Sequence, residues 1–163
     1  MNNEERTIKL DRLRYTKNAA SSRLAILAIL LDVLFFVSIY KSDVGSYYYN
    51  ILIGASILYN LIFMLAAFLA SEGVKNYKAN YSWLLIALGV IQVVRIFIIP
   101  MQAHSATVTV GGAETVVMGS GQFIRVIIYL VASAACLFAS AVINLQKSRA
   151  LAQHVASLGE AKA

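Results

Sequence analysis

The chain has 163 residues, of which 60% are hydrophobic and 13% are charged, and its formal net charge is +6. Soluble domains usually contain about 45–50% apolar and about 25% charged residues, so this composition excludes an ordinary soluble domain. The basic residues stand at the ends of apolar runs and not in one patch, which argues against nucleic-acid binding. The single cysteine excludes an intrachain disulfide.

The N-terminal segment, residues 1–23, is polar and basic. It contains six Lys and Arg residues: Arg6, Lys9, Arg12, Arg14, Lys17 and Arg23. Such a segment can form a charged helix that lies on an anionic membrane surface. We predict that it lies on the cytoplasmic side of a membrane.

Four apolar segments follow, and each is close to the length of about 20 residues that a helix needs to cross a bilayer. They lie near 24–40, 47–71, 81–100 and 123–145. The runs are continuous and lack a two-residue alternation, which indicates helices and not a β-barrel. The sequence therefore predicts an all-α integral membrane protein whose membrane domain, 24–145, is a bundle of four transmembrane helices.

The distribution of basic residues predicts the orientation of the bundle. The N-terminal segment, the second loop and the tail, 146–163, contain eleven Lys and Arg residues, whereas the first and third loops contain only Lys41. Because cytoplasmic loops are enriched in Lys and Arg, we expect both termini to be cytoplasmic and the protein to lie in the plasma membrane. Three tyrosines, 47–49, fit the outer interface, although a ligand platform is an alternative for them.

The third loop, 101–122, has the pattern of a β-hairpin. Thr107 to Val110 and Thr115 to Val117 are rich in β-forming residues, and Gly111 and Gly112 between them favour a tight turn. We therefore expect a short extracytoplasmic β-hairpin between the third and fourth spans. Its edge either docks a partner or serves only as a connector.

Asp32 is the main candidate for function because it lies near the middle of the first span. An ionised side chain at that depth costs at least about 2.5–3.5 kcal/mol and needs a partner. Gln92 and Arg95 share one face of the third span, and Asn60 lies near mid-depth in the second. We predict one polar layer of these four residues. It is either a ligand, proton or cation site, or an Asp–Arg pair that fixes how the helices pack.

Two spans carry stripes of small and polar residues at helical spacing, a pattern typical of close helix packing in lipid. In the second span the stripe contains Ser56, Asn60, Met64, Ala67 and Ser71. In the fourth span it contains Ser133, Cys136, Ser140 and Asn144. These faces are suited to hold the bundle together and also to bind another membrane protein.

The sequence lacks a nucleophile–base pair, a phosphate-binding loop and a His-rich cluster, so we predict no enzymatic activity, no cofactor and no metal. The favoured function is a non-enzymatic accessory or regulatory subunit of a larger membrane complex. Its expected partners are membrane lipids and other membrane subunits or a second copy. The alternative is a small oligomeric transporter or channel that uses Asp32 as a proton or cation site, and a lipid-modifying enzyme ranks last.

Overall fold

The computed structural model describes residues 5, 17–40, 50–110 and 113–160. Within this part the chain is mostly helical, in the order α1 (Ala19–Tyr40), α2 (Asn50–Lys75), α3 (Asn80–Ile98), α4 (Pro100–Ser105), β1 (Thr107–Val110), β2 (Ala113–Val116) and α5 (Ser120–Glu160). The tyrosines at 47–49, the turn residues 111–112 and the basic segment before residue 17, Glu5 excepted, lie outside the described residues.

Four of the helices, α1, α2, α3 and α5, are long and apolar enough to cross a membrane. This finding supports a multi-pass membrane protein. In the described part, α1 and α3 each pack against both α2 and α5. The large apolar side chains on the outside of the bundle are suited to lipid, and Leu65, for example, is 62% exposed.

Two helices extend well beyond the predicted spans, in each case into residues whose sequence also allows a helix. Helix α1 begins at Ala19, so residues 19–23 belong to the helix and not only to the basic segment. The fourth span and the tail form one helix, α5, of 41 residues. The residues that follow Asn144 are mainly good helix formers, and the first glycine after the span is Gly159, so nothing interrupts the helix.

Pro100 separates α3 from the short helix α4. A proline nitrogen has no hydrogen to donate, so it cannot continue the hydrogen-bond ladder of α3, but it fits the first turn of a new helix. Ile99 closes α3 by donating its backbone N–H to the Arg95 carbonyl oxygen at 3.2 Å. The chain can therefore bend at this end of the bundle and lead into β1.

Strands β1 and β2 pair antiparallel, with Thr107 opposite Val116 and Val110 opposite Ala113. The strand pair is anchored to the bundle through His104, whose Nδ1 donates to the Met118 carbonyl oxygen at 3.0 Å. The His104 ring also stacks on Phe123 of α5, with 4.3 Å between the ring centroids. We call the end of the bundle next to the two strands the strand end. We call the opposite end, where α1 begins and α5 leaves the bundle, the terminal end.

Two glycines allow neighbouring side chains to approach the helix backbones closely. A Cβ atom on Gly89 of α3 would lie 2.8 Å from Cε1 of Phe138, and a Cβ atom on Gly73 of α2 would overlap the ring of Tyr81. Among the described residues, no atom packed against this part of α2 comes within 4 Å of the corresponding position at Gly54. Gly54 is therefore a matched control for the other two glycines.

We expect Gly73→Ala and Gly89→Ala each to lower the free energy of unfolding by about 1–3 kcal/mol, because an aromatic ring must move. Gly54→Ala should raise it by about 0.5–1 kcal/mol, since alanine favours the helix. Reversible unfolding in mixed detergent micelles, followed by circular dichroism, measures both effects. Equal changes at all three sites would contradict the close contacts at Gly73 and Gly89.

Candidate functional site

The structure brings the four predicted polar residues, Asp32, Asn60, Gln92 and Arg95, into one buried group. Asp32 is 1% exposed and Arg95 is 4% exposed. Arg95 donates through Nη1 to Asp32 Oδ1 and through Nη2 to Asn60 Oδ1, both at 2.8 Å. Gln92 donates to the same Asp32 oxygen at 3.0 Å. We call these four residues and Ser133 the central cluster.

Ser133 extends the central cluster to α5. Gln92 Nε2 donates to the Ser133 hydroxyl at 3.3 Å, and that hydroxyl donates to the Ala28 carbonyl oxygen of α1 at 3.0 Å. The cluster therefore joins α1, α2, α3 and α5 through side chains. Sequence reasoning placed Ser133 in a packing stripe and did not connect it to Asp32.

The guanidinium of Arg95 lies between two aromatic rings. Its Cζ atom is 4.2 Å from the ring centroid of Phe35 and 4.7 Å from that of Tyr59. Cation–π contacts of this kind are strongest where water is excluded, and they hold the planar group in a fixed orientation. Sequence reasoning missed both rings, although Phe35 is one helical turn from Asp32 and Tyr59 precedes Asn60.

The charges of the central cluster cancel, but its hydrogen bonds are incomplete. Asp32 Oδ2 and Gln92 Oε1 are buried and have no hydrogen-bond partner among the described residues. Both atoms are acceptors, and a buried acceptor without a donor is costly. The cluster can thus hold the four helices in register, and it also offers two oxygens to a small hydrogen-bond donor or to a proton.

A second buried polar group lies toward the terminal end, and we call it the inner layer. Its members come from the start of α1, the end of α2, the start of α3 and the middle of α5, and they are Asn18, Ser21, Ser22, Ser71, Ser82, Ser140 and Asn144. Three of them, Ser71, Ser140 and Asn144, belong to the predicted stripes. The others were missed, although residues 18–22 form a run of small and polar side chains.

Hydrogen bonds connect the inner layer across all four long helices. Ser21 and Ser140 each donate to the backbone carbonyl of the other, at 2.6 and 2.7 Å. The hydroxyls of Ser22 and Ser71 are 2.9 Å apart. These bonds join the start of α1 both to α5 and to the end of α2.

Asn144 bonds to three separate segments of the chain. Its Oδ1 accepts from Asn18 Nδ2 at 3.1 Å. Its Nδ2 donates to Ser82 Oγ at 2.8 Å and to the Lys78 carbonyl oxygen at 3.1 Å. One side chain of α5 thereby fixes the start of α1, the start of α3 and the turn between α2 and α3.

Beyond Asn144, α5 continues out of the bundle. We call residues 145–160 the arm, and at about 1.5 Å per residue the arm is about 24 Å long. Ser148 at its base donates to the Tyr77 carbonyl oxygen at 2.9 Å. Farther out, Val155 is 59% exposed, and His154 is half-buried.

Comparisons of the chain with protein-family models, with curated proteins and with solved structures find no match.

Proposed function

We propose that this chain is a multi-pass protein of the plasma membrane with both termini in the cytoplasm. The support is the charge asymmetry of the sequence, since the N-terminal segment, the second loop and the tail contain eleven Lys and Arg residues and the first and third loops contain only Lys41. On this proposal the strand pair, together with residues 111–112, forms an extracytoplasmic β-hairpin. The arm then projects into the cytoplasm.

Thiol labelling in whole cells tests the orientation. In a Cys136→Ala background, Thr109→Cys should react with a maleimide that cannot cross membranes, because Thr109 is exposed at the strand end. Ser157→Cys, exposed on the arm, should react only after the cells are lysed. The reverse pattern would overturn the proposed orientation.

Within that membrane, we propose that the protein is a non-enzymatic accessory or regulatory subunit of a larger membrane complex. The observation that carries this proposal is the continuous helix α5. Its 41 residues span about 62 Å, whereas the hydrocarbon core of a bilayer is about 30 Å thick. A rigid helix that extends from the membrane presents a surface at a fixed height, where a soluble domain of another subunit can bind.

The hydrogen bonds of the bundle interior favour the same function. The central cluster and the inner layer connect all four long helices to one another, which makes the membrane domain a fixed support for the arm. Small residues on the helix faces also allow close packing with another membrane protein. A scaffold of this kind needs no catalytic residues.

Native mass spectrometry of the full chain, extracted gently from its own membranes, tests the subunit proposal. We expect a stable complex with a larger protein, and we expect Ala152→Pro to abolish it, because proline interrupts the arm at a cost of about 3 kcal/mol. Ala152→Ser keeps the helix and should keep the complex. Retention of the complex in the proline variant would rule out the arm as the binding element.

A second candidate function is a small oligomeric transporter or channel that uses Asp32 as a proton or cation site. Asp32 Oδ2 and Gln92 Oε1, which accept no hydrogen bond from the part of the chain that the structure describes, favour it, since intramembrane ionisable residues commonly mark transport pathways. The same spectrum separates the two candidates. A homo-oligomer without another protein would favour the transporter and count against the accessory subunit.

A further inference from the structure

Five basic residues lie together at the terminal end of the bundle, and we call them the basic cluster. They are Lys17, Lys75, Lys78, Lys147 and Arg149. Lys75 is half-buried and the other four are exposed. They come from the residues before α1, from the end of α2 and the turn after it, and from the base of the arm. Packing of the bundle, and not the sequence alone, therefore brings these charges to one place.

One backbone hydrogen bond places the first two members side by side. Asn18 donates its backbone N–H to the Lys75 carbonyl oxygen at 2.9 Å. Lys17 directly precedes Asn18, so it lies next to the end of α2. The Asn18 side chain also donates to Asn144 of α5 at 3.1 Å, which brings the base of the arm to the same point.

A second bond places the other three members together. Ser148 donates its hydroxyl to the Tyr77 carbonyl oxygen at 2.9 Å, which holds the turn between α2 and α3 against α5. Lys78 follows Tyr77 in this turn, and Lys147 and Arg149 flank Ser148. The turn and the base of the arm thus present three cations from one contact.

The positive charge of the basic cluster is poorly balanced by the protein. Across residues 17–30, 70–85 and 140–150 the single acidic residue is Glu72. Its Oε1 atom pairs with Lys75 Nζ at 2.9 Å, and the described residues provide no other carboxylate partner to the cluster. Neighbouring like charges repel one another, and a bound anion relieves that repulsion.

Exposed apolar side chains lie next to the basic cluster, toward the middle of the bundle. Leu69 on α2, Trp83 on α3 and Val142 on α5 are each at least half exposed. Each is five or six residues from a member of the cluster, which is about 8–9 Å along a helix. The surface therefore has cations at its rim and apolar side chains below them, and a phospholipid has the same arrangement of charge and hydrocarbon.

We propose that the basic cluster binds the headgroup of an anionic phospholipid. The phosphate lies among the ammonium groups and the guanidinium, which are strong partners for phosphate oxygens, and the acyl chains follow the exposed apolar side chains. Basic sites between transmembrane helices bind anionic headgroups in this way. The proposal requires only that the four long helices span a bilayer. It does not depend on the orientation of the termini, on the subunit role or on transport.

The fluorescence of Trp83 tests the proposal. Trp83 is the single tryptophan of the chain, is 66% exposed and lies five residues after Lys78. The full chain is placed in vesicles of equal parts phosphatidylglycerol and phosphatidylcholine, with bromine on the acyl chains of one lipid or of the other. Bromine quenches tryptophan on contact, so we expect severalfold stronger preference for the anionic lipid than for the zwitterionic one. Both leaflets have the same composition, so the direction of insertion does not affect the result.

Substitutions at the basic cluster should remove this preference. We expect Lys78→Gln and Arg149→Gln each to lower it by up to about fivefold, the factor that corresponds to about 1 kcal/mol for one basic residue near an anionic surface. The double variant should show almost none. The matched control is Arg125→Gln, which removes the same charge from an exposed position of α5 at the strand end and should leave the preference unchanged.

Each outcome decides the proposal. Equal quenching by the two brominated lipids in the unaltered chain would overturn it. A preference that persists in the double variant, or that Arg125→Gln lowers to the same extent, would show that the basic cluster is not the site. Loss of the preference when inorganic phosphate replaces chloride at constant ionic strength would assign the cluster to a soluble anion and would also overturn the proposal.

Discussion

Asp32→Leu is expected to lower the free energy of unfolding by about 3–5 kcal/mol, the largest effect of any single substitution considered for this protein. Removal of the Asp32 carboxylate leaves the Arg95 guanidinium buried without a negatively charged partner. Arginine keeps its charge in proteins and cannot become neutral, and the rings of Phe35 and Tyr59 hold it inside the bundle. The uncompensated charge therefore remains in a region of low dielectric constant.

Arg95→Leu is expected to cost less than Asp32→Leu, because a carboxyl group, unlike a guanidinium, can bind a proton and lose its charge. The double variant Asp32→Leu/Arg95→Leu should also be more stable than Asp32→Leu alone, since apolar pairs often replace buried ion pairs at little cost. Some loss remains in the double variant. Gln92 and Asn60 lose hydrogen-bond partners that the structure gives them.

Unfolding by a denaturing detergent in mixed micelles, followed by the fluorescence of Trp83 and by circular dichroism, measures these differences. The double-mutant cycle gives the coupling between Asp32 and Arg95 directly. If the effects of the two single substitutions add in the double variant, the ion pair does not contribute to stability. A cost for Arg95→Leu equal to or above that for Asp32→Leu would contradict the expected role of the permanent arginine charge.

Asn144→Leu is expected to have the second largest effect, about 2–4 kcal/mol, because several buried polar groups lose their partners at once. Asn18 loses the acceptor for its amide, and the Ser82 hydroxyl and the Lys78 carbonyl oxygen lose a donor. Asn18 Oδ1 already has no hydrogen-bond partner in the described part of the chain, so its side chain becomes wholly unpaired in that variant.

Ser148→Ala is the matched control for Asn144→Leu. It lies one turn farther along the same face of α5 and loses a single bond, to the Tyr77 carbonyl oxygen. Its expected cost is about 0.5–1.5 kcal/mol. The same unfolding experiment compares Asn144→Leu with Ser148→Ala. If the two variants lose similar free energies of unfolding, Asn144 contributes no more to stability than a residue with a single ordinary hydrogen bond.

The sequence was sufficient to identify the four helices that are long and apolar enough to cross a membrane, and four of the five members of the central cluster. Continuous apolar runs of this length are typical of membrane spans and rare in soluble domains. A carboxylate at mid-bilayer must find a partner, for which Arg95 at a similar depth was the natural choice. Asn60 and Gln92 could be placed near Asp32 by their depth in the bilayer. The depth of a residue depends only on its position along the helix and not on the rotation of the helix.

The aromatic rings and most of the inner layer could not be predicted in the same way. Phe35 and Tyr59 lie in apolar runs, where an aromatic residue has the same pattern as any core residue. Ser21 and Ser22 are small residues that lipid-exposed and packed faces both tolerate, and their partners lie far away in sequence. Only the rotation of each helix, which tertiary packing sets, decides which of them face inward.

The two buried polar layers have a mechanical consequence. Ser22 and Asp32 are ten residues apart on α1, so the inner layer and the central cluster lie about 15 Å apart along the helix axis. Two separated sets of directional bonds oppose both sliding and twisting of each helix against its neighbours, since a shift of one turn, about 5.4 Å, would break both sets together. The membrane domain is therefore expected to tilt or translate as one unit, and a change at one membrane surface would reach the other as a whole-body motion.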